Sequence, residues 1–123
     1  MKISTLLSAF SLVVVTRAGC QDNADGFASL NGGTTGGNGG TVVTVSNQAD
    51  LERYASVSER YVIKIPSRIT ITPKGKEIDV ASDKTIIGAG ASGEIYNGGL
   101  RVINRRNVII RNLRIGNSFC HFL

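Results

Sequence analysis

The strongest constraint on the fold is a set of short β-branched runs that returns at a regular interval along the chain. The runs occupy residues 62–65, 69–72, 78–80, 85–87, 100–103 and 108–115. The pair of β-branched residues that begins at Val62 returns at Ile86 and again at Ile109. A second series lies between these pairs and runs from Ile78 to Leu100. The two interleaved series share a period of roughly 23 residues, which indicates a solenoid with several strands in each coil.

The runs favour parallel pairing of the strands. Strands of an antiparallel sandwich also recur at short, regular intervals, so that fold is the alternative. However, residues 86–87 and 108–110 are continuously apolar, which is typical of parallel sheets rather than of sheets with one solvated face. No helical pattern separates the strands after residue 61, which excludes a doubly wound fold. The sequence therefore predicts an all-β, right-handed parallel β-helix, in which each strand stacks on its counterpart in the next coil.

A glycine-rich segment precedes the repeat. Residues 26–40 contain seven glycines, which predicts either a flexible linker or an irregular backbone with many positive φ angles. A phosphate-binding loop is excluded, because no strand precedes the segment and no Gly-Lys-Ser/Thr sequence follows it.

One short helix is predicted between the glycine-rich segment and the coils. Residues 41–45 form a β-branched strand, and Ser46 or Asn47 can cap a helix over residues 47–56. Apolar residues recur at i, i+3 and i+4 from Leu51, which gives the helix one narrow apolar face. We expect this helix to lie over one end of a larger structure.

Residues 1–18 have the pattern of a secretory signal peptide. Lys2 precedes an apolar run over residues 3–15, and the small residues Thr16 and Ala18 stand where a signal peptidase reads the chain. A membrane anchor is the alternative, but the run is shorter than the roughly 20 residues that a bilayer span needs. We therefore expect a secreted, extracellular protein that has no membrane-spanning segment.

The charge of the secreted chain restricts its partners. The formal net charge is +5, and it falls to +3 once Lys2 and Arg17 leave with the signal peptide, because that peptide contains no acid. Nucleic acid is a poor candidate partner for a secreted chain, whereas a polyanionic extracellular polymer is a better one.

The cysteines and the single histidine offer little chemistry. Secretion permits a disulfide between Cys20 and Cys120, but the sequence does not show whether they lie close together. One histidine excludes a multi-histidine metal site, and His121 stands in the terminal tail.

The last coil is rich in asparagine and arginine. Asn104, Asn107 and Asn112 are expected at turns, since asparagine tolerates left-handed backbone and bonds its neighbours. A basic patch of arginines is either a solvated exterior face or a weak, salt-sensitive contact with a polyanion. Its members are Arg101, Arg105, Arg106, Arg111 and Arg114.

Together these stretches resemble the amino-terminal part of a secreted pectate lyase of the large parallel β-helix family, of fungal or bacterial type. Residues 26–40 resemble the family's opening segment, and residues 41–54 resemble its first strand and end-capping helix. Residues 82–90, read as Ser-Asp-Lys-Thr-Ile-Ile-Gly-Ala-Gly, and residues 99–101 with 107–113 resemble its next two coils. The expected organisation is a signal peptide over 1–18, an irregular segment over 19–40, β-helix coils over 41–119 and a tail outside the family pattern over 120–123.

The resemblance implies Ca²⁺-dependent β-elimination of polygalacturonate, or of methylated pectin, although the fit of the middle coils favours pectate. In that family aspartates hold Ca²⁺ and an arginine acts as the base, and these groups lie on later coils. No acidic residue follows Glu94 here, so no catalytic or metal-binding residue can be assigned. We expect this chain to be inactive alone, with its last coil open to self-association. The alternatives are a noncatalytic protein that binds acidic wall polysaccharide through its arginines and an enzyme with an unrecognised site.

Overall fold

The computed structural model describes residues 26–118. The predicted signal peptide, both cysteines and His121 lie outside that range. A segment of 3₁₀ turns at Gly26–Gly32 is followed by one helix and nine strands. In order they are β1 (Thr41–Thr44), α1 (Gln48–Ser56), β2 (Tyr61–Ile65), β3 (Arg68–Thr70), β4 (Glu77–Asp79), β5 (Lys84–Gly88), β6 (Glu94–Tyr96), β7 (Gly99–Arg101), β8 (Val108–Arg111) and β9 (Arg114–Gly116). Over the described range, the helices are all too short or too polar to cross a membrane.

The strands form three parallel sheets. The sheets have the orders β1-β2-β5-β8, β3-β6-β9 and β4-β7, and all six pairings between neighbours are parallel. From β2 onward, strands that follow one another along the chain belong to different sheets. Each coil therefore adds a strand to each sheet: β2, β3 and β4 form one coil, β5, β6 and β7 the next, and β8 and β9 begin another. The parallel β-helix is confirmed.

The register of the largest sheet is offset by a single position from the alignment that the sequence spacing suggests. Ile63 pairs with Ile86, and Ile86 pairs with Ile110. The sequence spacing instead aligns Val62 with Ile86 and Ile86 with Ile109. With an offset of one position, side chains that the sequence spacing puts on the same face of neighbouring strands lie on opposite faces. Val62 and Thr85, which pair with each other, consequently lie on the outer face of the sheet.

Isoleucine and valine ladders fill the interior of the coils. Burial of one such side chain contributes about 1.5–3 kcal/mol to folding. The described core side chains that are at most 2% exposed include Val45, Leu51, Ile63, Ile65, Ile69, Ile71, Ile78, Val80, Ile86 and Ile95. They belong to all three sheets and to the helix, so one core runs along the axis of the stack.

Helix α1 covers one end of the coils, as predicted. The side chain of Asn47 caps it by accepting a hydrogen bond from the backbone N–H of Asp50, at 2.8 Å. Leu51 and Ala55 are buried, and the helix packs against β2 and β4. The Gln48 amide both donates to the carbonyl of Thr72 at 3.0 Å and accepts from its N–H at 2.9 Å. Gln48 of the helix therefore satisfies the backbone N–H and carbonyl groups of Thr72, which has no neighbouring coil on that side.

Two features differ from the expected strands. Residues 108–115 are not one strand, because Asn112 has a left-handed φ of 49° and turns the chain from β8 into β9. Strand β6 was not predicted, since Ile95 is its single β-branched residue. Its pairing with β3 and β9 gives it strand conformation regardless of its composition.

Candidate functional site

The glycine-rich segment packs directly on the outer face of the β1-β2-β5-β8 sheet. Gly36 and Gly37 are buried, and a Cβ on Gly37 would collide with the carbonyl oxygen of Tyr61. A Cβ on Gly36 would meet the hydroxyl of Thr85, and the φ of Gly36 is +56°. The N–H of Gly37 donates to that hydroxyl at 3.0 Å. The segment is therefore an irregular backbone fitted against the sheet, which settles the choice between the two interpretations of its composition.

Asn107 holds this segment in place. Its Oδ1 accepts from the backbone N–H of Thr35 at 2.7 Å and of Gly36 at 2.9 Å. Its Nδ2 donates to the carbonyl of Gly36 at 3.1 Å and to Oδ1 of Asp83 at 2.6 Å. This last hydrogen bond is the main reason why the pKa of Asp83 lies below its usual range. Asn107 thus joins the last described coil to a segment that lies far from it in the chain.

The left-handed turns predicted for the asparagines are confirmed. The φ angles of Asn104, Asn107 and Asn112 are 53°, 57° and 49°. Asn112 also donates to the carbonyl oxygens of Gly88 at 2.7 Å and Gly90 at 2.9 Å, one coil away. Asparagine therefore both turns the chain and links successive coils.

A cleft of about 570 Å³ lies between the glycine-rich segment and the sheet. Its floor includes Val62, Ile87 and Ile109 from the outer face of three neighbouring strands. Lys64 and Arg111 line the same floor, while hydroxyl and amide side chains of the segment form the wall. The lining residues include no acid, so the cleft is a neutral-to-basic environment.

The five arginine candidates are distributed around the coils instead of forming one patch. Arg101 is on β7, and Arg105 and Arg106 follow it in an exposed loop. Arg111 lines the cleft from β8, and Arg114 lies on β9 in a different sheet. Arg105 and Arg106 thus lie side by side in this loop, and the charge of Arg105 also acts on the Asp79 carboxylate that Arg101 binds.

Arg101 is engaged by an acid in its own sheet. Its Nε and Nη2 donate to the two carboxylate oxygens of Asp79 at 2.5 and 2.8 Å. This bidentate contact lowers the pKa of Asp79 and raises the pKa of Arg101. The register pairs these residues across β4 and β7, so the contact stabilises one pairing of the strands.

Other described acids also have cationic partners. Glu94 accepts from Nε of Arg68 at 2.6 Å, and the Arg68 guanidinium lies 4.6 Å from the ring centre of Tyr96. Glu52 lies 2.8 Å from Nζ of Lys76, and this hydrogen bond lowers the pKa of Glu52. Within residues 26–118, no three His, Cys, Asp or Glu side chains form a group that could hold a metal. Since Ca²⁺ takes about 6–8 oxygen ligands, the donor set of these residues does not fit it.

One buried cation was missed by sequence reasoning. Lys84 is completely buried, and its Nζ donates to the carbonyl oxygens of Glu59 at 2.5 Å and Ser82 at 3.1 Å. Burial is the main cause that lowers its pKa. The alternation of faces along β5 is the signal that could have found it, because Ile86 points inward and a residue two positions earlier shares that face.

Comparisons with known proteins agree on one family. A family model described as Pectate lyase matches residues 1–120. A pectate trisaccharide-lyase from Thermotoga sp. strain RQ2 is 39% identical over 92% of this chain and 34% of its own length. Pectate lyase A from Emericella nidulans is 42% identical over 80% of this chain and 30% of its own length. The chain thus spans about a third of the curated relatives that it matches.

A solved structure shows the same likeness. The crystal structure of a pectate lyase from Bacillus sp. N165 in complex with trigalacturonate aligns with a TM-score of 0.66 and 33% identity. The alignment covers 76% of this chain and 34% of that one. The shared part is therefore about three quarters of this chain and about a third of the solved protein.

Proposed function

Because the chain belongs to the pectate lyase family, we propose that its coils are the amino-terminal part of a β-helix that acts on polygalacturonate. The observation that carries this proposal is the in-register stack of three parallel sheets, which aligns with a lyase crystallised with trigalacturonate. The 123 residues by themselves would bind the polymer without cleaving it.

The acids and cations of the described coils support binding over cleavage. Asp79 and Glu94 are tied to arginines, and Asp83 is bonded by Asn107, so these carboxylates are not grouped for metal binding. Arg105 and Arg106 are exposed, and their guanidinium groups make no hydrogen bond to the described residues. Exposed guanidinium groups suit the carboxylates of an acidic polysaccharide.

The remaining parts of the proposal come from the resemblance and the sequence. Ca²⁺ ligands and a catalytic arginine would have to be supplied by residues other than those described. Secretion through a signal peptide over residues 1–18 would bring the protein to the extracellular polymer. Polygalacturonate rather than methylated pectin is the proposed partner, because a carboxylate methyl ester has lost the charge that the arginines would bind.

An activity assay tests the absence of cleavage. The purified chain is incubated with polygalacturonate and Ca²⁺ at alkaline pH, and the ultraviolet absorbance of unsaturated product is followed. We expect no release above a buffer control. Measurable product would overturn the proposal that these residues bind without cleaving, and would favour an active site of another kind within them.

The second candidate function is that of a noncatalytic protein that binds acidic wall polysaccharide through the loop between β7 and β8. The exposure of Arg105 and Arg106 favours it. A double variant, Arg105→Gln with Arg106→Gln, should pellet less with insoluble pectate, and added salt should weaken pelleting of the unaltered chain. Equal pelleting of both chains would remove this loop from the binding surface.

A further inference from the structure

We propose that the cleft beneath the glycine-rich segment is a binding site for uronate residues of an acidic oligosaccharide. The inference rests on the proposed function for the class of polymer. It places a contact on the outer face of the β1-β2-β5-β8 sheet, away from the loop that carries Arg105 and Arg106. The resemblance assigns the family's catalytic groups to later coils, so this cleft would hold polymer without taking part in cleavage.

Two cations lie in one row across the floor of the cleft. The register pairs Lys64 with Ile87 and Ile87 with Arg111, so the cations are two strands apart on the same face. Strands in a sheet are about 4.8 Å apart, which separates the two backbone positions by about 10 Å. The side chain of Lys64 is exposed, and its ammonium makes no hydrogen bond or ion pair with the described residues. A carboxylate would supply the partner that its ammonium lacks there.

The uncharged part of the lining fits the rest of a sugar. Val62 and Ile109 offer an apolar surface for C–H groups, and Thr34 and Asn38 offer hydrogen bonds to hydroxyl groups. This mixture of an apolar floor with a few polar groups is typical of small-molecule sites. The volume of about 570 Å³ also lies within the usual size of such sites, roughly 300–1,000 Å³.

The cleft is formed before any ligand arrives. Asn107 binds the backbone of Thr35 and Gly36, and Thr85 binds the N–H of Gly37, so one wall is fixed to the sheet. A preformed wall reduces the entropy that binding would otherwise cost. Glycine at positions 36 and 37 permits this close fit, because a Cβ there would meet Thr85 and Tyr61.

Nuclear magnetic resonance with trigalacturonate as the probe tests this site. Backbone amide signals of the purified chain are followed as the trisaccharide is added, with a neutral galactose trisaccharide and with sulfate at equal ionic strength as comparisons. We expect the largest shifts at Thr34, Asn38 and Lys64, and only small ones with either comparison ligand. Lys64→Gln should weaken binding about tenfold, as expected for loss of a charge-assisted hydrogen bond.

A matched variant controls for the loss of charge. Lys74→Gln removes the same charge from the connection between β3 and β4, outside the cleft, and should change affinity less than twofold. Lys64→Arg, which keeps the charge, should retain binding. Amide signal shifts confined to the loop between β7 and β8 would overturn the proposal that the cleft binds uronate residues, and would leave the proposed function unaffected. Equal shifts with sulfate, or no binding of trigalacturonate at all, would also overturn it, and absence of binding would remove the proposed function as well.

Discussion

At the scale of single residues, the least expected feature is a lysine on the inner face of the coils. Lys84 pairs with Tyr61 and Val108 in the register, and its side chain is fully buried. Two carbonyl oxygens accept hydrogen bonds from its ammonium, but no described carboxylate contacts it. Burial opposes the charged form more strongly than the nearby charges of Asp83 and Glu59 favour it, so the pKa of Lys84 is lowered from 10.5.

The lowered pKa of Lys84 predicts that stability increases as the solution becomes more alkaline. Because the unfolded chain holds this proton more tightly, the free energy of unfolding should rise as the pH passes the folded pKa and approaches 10.5. Below the folded pKa, Lys84 should contribute no pH dependence to the free energy of unfolding. Urea unfolding from neutral pH to above 10.5 measures this effect. Lys84→Met should flatten the rise, whereas Lys74→Met should keep it. An unchanged slope in Lys84→Met would contradict the assignment.

At the scale of elements, Asn107 connects the glycine-rich segment to the start of β8. Its amide joins the backbone of Thr35 and Gly36 to the side chain of Asp83, which occupies the equivalent left-handed position one coil earlier. A single side chain therefore stabilises both the stacking of two coils and the placement of the segment that forms the cleft wall.

Loss of the Asn107 amide should release the segment locally. Asn107→Ala leaves the backbone N–H groups of Thr35, which is exposed, and of Gly36, which is buried, without their acceptor, and the buried group costs about 1–3 kcal/mol. Hydrogen–deuterium exchange of the peptide spanning residues 33–38 should become at least tenfold faster, while exchange in β2 should change little. Asn104→Ala is the matched control, because Asn104 has a similar φ of 53° but makes no side-chain hydrogen bond to the described residues. Equal exchange in the two variants would show that Asn107 does not hold the segment.

The helix and some of the strands could be predicted from the sequence, whereas other strands and their boundaries could not. Helix α1 and the isoleucine-rich strands β2, β5 and β8 follow from capping and from β-branched runs, which are local signals. Strand β6 has weak local signals and depends on its neighbours. The division of β8 from β9 depends on the left-handed backbone of Asn112. The sequence predicts a turn at Asn112 and also one β-branched run over residues 108–115, and the structure has the turn.

The cleft could not be predicted for a different reason. It needs Lys64 and Ile87 on the same face of the sheet, and a register that is wrong by a single position puts them on opposite faces. It also needs contact between the glycine-rich segment and Asn107, which lie far apart in the chain. The arginines were visible in the sequence, but their distribution over several sides of the coils depends on turns that composition does not locate.

At the scale of the whole molecule, the two ends of the described stack are different. Helix α1 covers one end, whereas β7, β8 and β9 each have a strand neighbour on one side only among residues 26–118. Ile110 and Ile115 are 40% and 42% exposed, although their partners one coil earlier, Ile86 and Ile95, are fully buried. Unpaired strand edges with apolar ladder ends favour pairing with another chain.

The open end predicts self-association of the purified chain. Ile110→Lys would place a charge where a second copy must bury an apolar side chain, so it should weaken association at least tenfold. Sedimentation velocity across a range of micromolar concentrations measures the change. Ile103→Lys is the matched control, since Ile103 is 61% exposed in the loop between β7 and β8 and belongs to none of the ladders. It should leave association nearly unchanged. A monomer at all concentrations for the unaltered chain, or an equal effect of both substitutions, would show that the exposed ladder is not the contact.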